Sequence, residues 1–311
     1  MNDHPLPPWA DKMPEGAFIS WEPTYKVGEY FNNFHKDRFD CEPFGAEKFS
    51  GMDYYFYDPT EHGWDKDKKY PLILFMHGYT NALFGETCIN YTGAEFYSKE
   101  EYQKALGGAY LLVPIANEKK DADGKCVGSW DDSYLKPVLA LADEFEKKHA
   151  SGRISKKAVM GSSSGADMCF KLEKMNPKFF DIMVTIGSAK LPDDSVLERY
   201  EKNGLRFFFA LAKHDELCDF EKEVAPRLER LKKMKGCYAF TPEWIYNGDG
   251  GIASINFGFE MGQHCLVNPM HCNLMYDDGR PMYKELPNGV TGWLKSCISR
   301  ANGARITACQ Y

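Results

Sequence analysis

The sequence predicts an α/β fold with a mostly parallel central sheet flanked by helices, and three observations predict it. Short apolar runs recur along the chain, among them Tyr70–Met76, Ala109–Pro114, Phe180–Ile186 and Leu205–Leu211. They lack polar alternation, which marks strands buried on both faces. Segments of helical spacing alternate with these runs, as in βαβ units. Finally, Gly161-Ser162-Ser163-Ser164-Gly165 joins the strand-like Lys156–Met160 to a helical segment, Ala166 to Asn176, with Met168, Cys169, Leu172 and Met175 on one face.

The bulk properties agree with one α/β domain over residues 1–311. At 311 residues and 43% hydrophobic composition the chain can fill a sizeable core. No internal repeat, low-complexity tract or composition break marks a linker. A formal net charge of −7, spread without a basic block, argues against a nucleic-acid or anionic-membrane partner. No run of about twenty apolar residues is present to span a bilayer. Met1–Ala10 is polar and proline-rich without a signal pattern, so a cytoplasmic location is expected, or a secreted one if a signal peptide has been removed. The ten cysteines are scattered with no CxxC pair and read as reduced core residues. Oligomeric state is not encoded in any of these features.

Taken in order, residues 1–50 form an irregular arm rich in aromatics (Trp9, Phe18, Trp21, Tyr25, Tyr30, Phe31, Phe34) that packs across the domain. Gly51–Pro59 reads as an edge strand ended by a turn, and Tyr70–Met76 as the central buried strand. A helical segment around Lys99–Leu106 leads into the next strand. Asp131-Asp132-Ser133 open a helix whose Leu135, Val138, Leu139, Ala142 and Phe145 share a face, and Gly152 closes it. Beyond the serine turn and the two further strands, a charged helix from about Phe220 to Met234 precedes a last strand, Tyr238–Tyr246. A glycine-rich loop (Gly248, Gly250, Gly251) and a final helix near Val290–Arg300 complete the chain.

The chemistry starts at Ser163. A tight strand-to-helix turn lifts its hydroxyl clear of the backbone, and the helix N-terminus offers free N–H groups and a positive dipole end to a developing oxyanion. Glycines let strand and helix approach closely. A nucleophilic serine of this kind takes its acid and base in the chain order Ser, Asp or Glu, His. Asp215, just past the Leu205–Leu211 strand, is the favoured acid, with Glu216 and Asp219 as rivals. The favoured base is His264, with His271 as the alternative. The adjacent pairs His264-Cys265 and His271-Cys272 lack the spacers of a zinc site, so neither metal nor cofactor is expected. The oxyanion donors would be the N–H groups of Ser164 and Tyr79, the latter in the His77-Gly78-Tyr79 loop after the central strand.

With Leu72–Gly78, Gly161–Gly165, Asp215 and His264 in place, the sequence resembles the α/β-hydrolase superfamily over roughly Met52 to Arg300. The layout resembles the esterase branch containing polyhydroxybutyrate-depolymerase-like and feruloyl esterases, to which the Tyr54–Pro59 strand and Trp130 are also similar. The resemblance implies a serine esterase acting through an acyl-enzyme on a small-molecule or oligosaccharide ester, such as a feruloyl or acetyl ester of a plant-wall carbohydrate. Trp130 and His77 would line the substrate site, and Phe84, Trp244, Phe257 and Phe259 are further aromatics able to stack on a ring. A serine peptidase of related fold and a non-catalytic hydrolase-like binding protein are the competing readings.

Overall fold

The computed structural model describes residues 4–21, 43–79, 81, 88–116, 119–120, 126–256, 259–266, 269–270 and 272–299. Its centre is the longest apolar run: β3 (Tyr70–Met76) is buried at every position. Around it lie β1 (Gly45–Phe49), β2 (Met52–Tyr57), β4 (Tyr110–Pro114), β5 (Ile154–Ser162), β6 (Ile182–Ile186), β7 (Arg206–Ala210) and β8 (Cys237–Phe240). They form an eight-stranded sheet in the order β1-β2-β4-β3-β5-β6-β7-β8. β2 runs antiparallel to both of its neighbours, and the pairs from β4 to β8 are parallel. This crossover at β4-β3, with one reversed strand near the edge, is the α/β-hydrolase fold.

Strand alternation splits the core into two layers. Ile73 and Phe75 of β3 point into one layer, with Phe96, Leu106 and Trp293, while Leu72, Leu74 and Met76 point into the other, with Val138, Leu172 and Leu231. The first layer is covered by α1 (Cys88–Thr92), α2 (Ala94–Ser98), α3 (Glu100–Leu106) and α9 (Gly289–Ser299). The second is covered by α4 (Leu135–Phe145), α5 (Ser164–Met175), α6 (Asp194–Asn203) and α8 (Ala225–Lys233). Each fully buried Leu, Ile or Phe contributes about 1.5–3 kcal/mol, so both faces of β3 hold the sheet in place.

Four expectations are corrected. The Gly51–Pro59 strand is not at the edge, because β1 hairpins onto β2 and covers it, with Gly45 opposite Phe56 and Phe49 opposite Met52. The Phe220–Met234 segment is two helices, α7 (Phe220–Glu223) and α8, since Pro226 fits only a first turn and restarts the helix. The last strand ends at Phe240 rather than Tyr246, where Pro242 has no N–H to give to a ladder. Two short helices, α1 and α2, stand ahead of the one expected near Lys99.

The N-terminal segment lies against the loops that follow β7 and β8. Ile19 and Ser20 pair in parallel with Ile252 and Ala253, and the Trp9 ring packs 5.2 Å from that of Trp244. Within the β6–β7 crossover, α6 lies on the sheet through Leu197 and Tyr200. No helix among the described residues is long and apolar enough to cross a membrane.

Candidate active site

The parallel strands deliver their loops to one edge of the sheet, and three of these loops build the site. β5 ends at Ser162 and α5 begins at Ser164, leaving Ser163 alone on the turn with φ 52° and ψ −120°. For a residue bearing a Cβ this backbone costs on the order of 1–3 kcal/mol, offset by the surrounding packing. Its N–H is tied to the Ile186 carbonyl of β6 at 2.8 Å. The glycines explain the close approach: a Cβ on Gly161 would lie 2.4 Å from the Gly165 oxygen, and one on Gly165 only 2.1 Å from the Met76 oxygen. Any side chain there would push α5 off the end of β3.

Asp215, the expected acid, sits on the turn after β7. Asp215 Oδ1 accepts the backbone N–H groups of Leu217 at 2.8 Å and Cys218 at 2.9 Å, so the carboxylate closes its own turn. His264, the expected base, lies in the long connection after β8, in a short helical turn, His264–Leu266. His264 Nδ1 lies 2.8 Å from Asp215 Oδ2, and its Nε2 lies 3.1 Å from Ser163 Oγ. The Asp215 and His264 side chains are 1% and 7% exposed. With Asp215 as acceptor, Nδ1 carries the proton and Nε2 presents its lone pair to the Ser163 hydroxyl. Gly187 passes the imidazole with φ +65°, a left-handed conformation that residues with a Cβ rarely adopt.

Around this line of three, a further set of side chains fixes the histidine loop, and none of them was assigned that task from the sequence. Glu216 accepts the N–H of His264 on Oε2 at 2.7 Å and that of Gln263 on Oε1 at 2.9 Å. The indole N–H of Trp9 also reaches Oε1, at 3.3 Å. Burial pushes the Glu216 carboxyl up to about 7, against the three backbone N–H groups that favour its ionised form. The fully buried Gln263 side chain accepts from the Ile245 N–H and donates to the Ala253 carbonyl. Glu260 accepts from Gly262 N–H and Ser254 Oγ. A one-letter sequence shows these residues only as polar positions in loops.

The loop after β3 abuts the serine turn from the other side, with the His77 oxygen 2.6 Å from where a Gly165 Cβ would stand. Ser164 occupies the first helical position, so its N–H has no intrahelical acceptor. Tyr79 follows Gly78 with its side chain 55% exposed. The expectation that His77 contacts substrate is corrected: the side chain is completely buried. Its Nε2 accepts the Ala116 N–H at 3.0 Å and Nδ1 donates to the Gly78 carbonyl at 2.7 Å. Burial lowers its pKa to about 4, so the ring stays neutral. His77 shapes the loop from inside. Trp130 is half-buried against it, its ring 4.6 Å away and its indole N–H donating to the His77 carbonyl at 2.9 Å. Trp244 is also buried, between Trp9 and His214, whereas Phe259 is exposed. His271, Phe84 and Phe257 lie outside the described residues.

Asp215, Cys218 and His264 bring ligand-type atoms within 4.8 Å of one another. They suit proton transfer better than metal binding. Asp215 and His264 already direct those atoms at each other.

No family model matches the sequence, and no curated protein matches it. Among solved structures, a thermostable esterase is similar at 20% identity and TM-score 0.48 over 65% of this chain and 54% of that one. Est1E from Butyrivibrio proteoclasticus with ferulic acid bound is similar at 15% identity and TM-score 0.39, over 63% of this chain and 88% of that one. The siderophore hydrolase EstB from Aspergillus nidulans is similar at 12% identity and TM-score 0.40, over 77% and 96%. This chain spans about half the length of the thermostable esterase. These likenesses are distant, and the fold assignment rests instead on the strand order and the strained strand-to-helix turn. Fold and site together define an α/β-hydrolase-fold protein with a serine, a histidine and an aspartate in hydrogen-bonded line.

Proposed function

We propose that the protein is a serine esterase that works through an acyl-enzyme. The observation that carries the reading is the continuous hydrogen-bonded line from Asp215 through His264 to Ser163, with Ser163 alone on a positive-φ turn at a helix N-terminus. Ser163 Oγ attacks the ester carbonyl as its proton passes to His264 Nε2, and Asp215 steadies the imidazolium. The N–H groups of Ser164 and Tyr79 take the charge on the carbonyl oxygen. His264 returns the proton to the departing alkoxide, then draws a proton from water as the water attacks the acyl group. His264 then gives that proton to Ser163 Oγ as the acyl–oxygen bond breaks, releasing the acid and regenerating the serine.

The proposed substrate class is a carbohydrate-linked ester, feruloyl or acetyl. Exposed Tyr79 and Phe259, with half-buried Trp130, are flat rings suited to stacking on a phenolic or sugar face. The test is turnover of methyl ferulate, acetylated xylan and an aminoacyl anilide side by side, with labelling by a fluorophosphonate probe. Ser163→Ala is expected to lose labelling and all but a trace of ester turnover. Full turnover in that variant overturns the mechanism, and cleavage of the anilide alone overturns the substrate class in favour of a peptidase.

A further inference from the structure

Glu216 belongs to none of the reacting atoms, yet it ties together two segments far apart in the chain. Its carboxylate receives the consecutive N–H groups of Gln263 and His264 from the histidine loop and the Trp9 indole from the N-terminal segment. The next residue back, Asp215, receives the ring of the same histidine. A cleft of about 420 Å³ opens beside this junction, lined by Pro8, Trp9, Lys12, His214 and Glu216 among others, so the N-terminal segment forms one of its walls. Two parallel N–H donors arriving at one carboxylate define the rotation of the His264 backbone, and therefore the direction in which its imidazole leaves it.

Resting on the reading of His264 as the base, we propose that Glu216 is a positioning residue for that base, and that Trp9 couples the N-terminal segment to it. In its ionised form the carboxylate accepts all three donors. A proton on it removes an acceptor site and turns one oxygen into a competing donor. The charged and titratable groups around it are Lys213, His214 and Asp215 from its own loop, Asp219 and Glu221 beyond, Lys12 from the N-terminal segment, and Glu260, His264 and Cys265 from the histidine loop. Glu260 opposes ionisation of Glu216. Activity is thus expected to require an ionised Glu216 as well as the free base of His264, so the acid side of the kcat/KM profile should carry the Glu216 ionisation.

The experiment uses the full chain and reads kcat, KM and the pH profile on a p-nitrophenyl ester. Glu216→Gln cannot accept at both amide ends, because its NH₂ meets an N–H whichever way it is flipped. It is expected to lower kcat roughly ten- to a hundredfold, the range for outer partners of a functional group, with KM changed less. Its acid limb should lose the Glu216 contribution. Trp9→Phe keeps the carboxylate and removes one donor from it, which should move the acid limb upward in pH. If Glu216→Gln fails to fold, the Trp9→Phe profile decides alone. Wild-type kcat and an unchanged acid limb in Glu216→Gln, or an unmoved limb in Trp9→Phe, overturn the proposal. Ser163→Ala and His264→Ala, assayed alongside with the fluorophosphonate probe, separate the two levels: if they retain labelling and turnover, the esterase reading itself fails, whatever Glu216 does.

Discussion

Asp215 and Glu216 are consecutive in the chain and hold one histidine from two sides: Asp215 lies 2.8 Å from the imidazole Nδ1 of His264, and Glu216 lies 2.7 Å from its backbone N–H. A single turn after β7 therefore fixes both the ring and the main chain that carries it. The 3.1 Å approach of Nε2 to Ser163 Oγ follows from that double hold, because neither the serine turn nor the histidine loop has freedom left at the contact.

Asp215→Asn should keep the turn, since an amide oxygen still accepts from Leu217 and Cys218, but it favours the wrong tautomer of His264. A fall in kcat of about 10³–10⁴ is expected with KM little changed. Steady-state kinetics beside a near-ultraviolet circular dichroism spectrum checks this. A loss below tenfold would contradict the role given to Asp215.

Gly165→Ala should fail structurally rather than chemically. Its Cβ would stand 2.1 Å from the Met76 oxygen and 2.6 Å from the His77 oxygen, both backbone atoms that cannot swing away. A destabilisation of about 3 kcal/mol or more is expected from such overpacking, read as a lower urea midpoint.

His77 links stability to pH. Neutral in the fold until about pH 4, the ring takes up its proton near pH 6.5 once unfolded, so the unfolded chain binds more protons between these values. The stabilisation is complete above pH 6.5 and is lost as the pH falls toward 4, by on the order of 3 kcal/mol in total. Glu216, whose carboxyl is raised from 4.5 to about 7, acts oppositely, its contribution falling as the pH rises through that window. The difference in urea stability between wild type and His77→Gln, followed from pH 7.5 to 4, isolates the His77 part. A pH-independent difference would contradict the assignment.

Chelators should leave ester turnover unchanged, because Asp215 and His264 are committed to each other. Assay after dialysis against EDTA, with and without added zinc, checks this. A loss restored by zinc would instead make Asp215, Cys218 and His264 metal ligands.

Much of the fold was legible because burial on both faces leaves a local mark. Tyr70–Met76 was readable as the central strand to the residue; the passage from strand to helix at Ser163 was readable in kind, although the strand runs on to Ser162 and the helix starts at Ser164 rather than Ala166. Partner choice at the edge was not. That Met52–Tyr57 is covered by Gly45–Phe49 depends on a hairpin whose first strand is only half-buried and carries no strong apolar signal. His77 was misread for a related reason: a histidine beside a serine site looks reactive in sequence, and only its enclosure at 0% exposure, with both ring nitrogens bonded inside, removes it from the surface.

By itself the sequence determined the order of buried strands, the glycine-flanked turn that exposes Ser163, and a short choice of acids and bases beyond it. The tertiary structure alone decided that Asp215 takes the imidazole and Glu216 the amide of the same residue. Contacts spanning 48 and 49 positions, Glu216 to His264 and Asp215 to His264, have no local periodicity to announce them. They arise because parallel strands bring the loops after their C-terminal ends to the same edge of the sheet, and which carboxylate faces which nitrogen there is set by the packing of loops that meet only when the chain is folded.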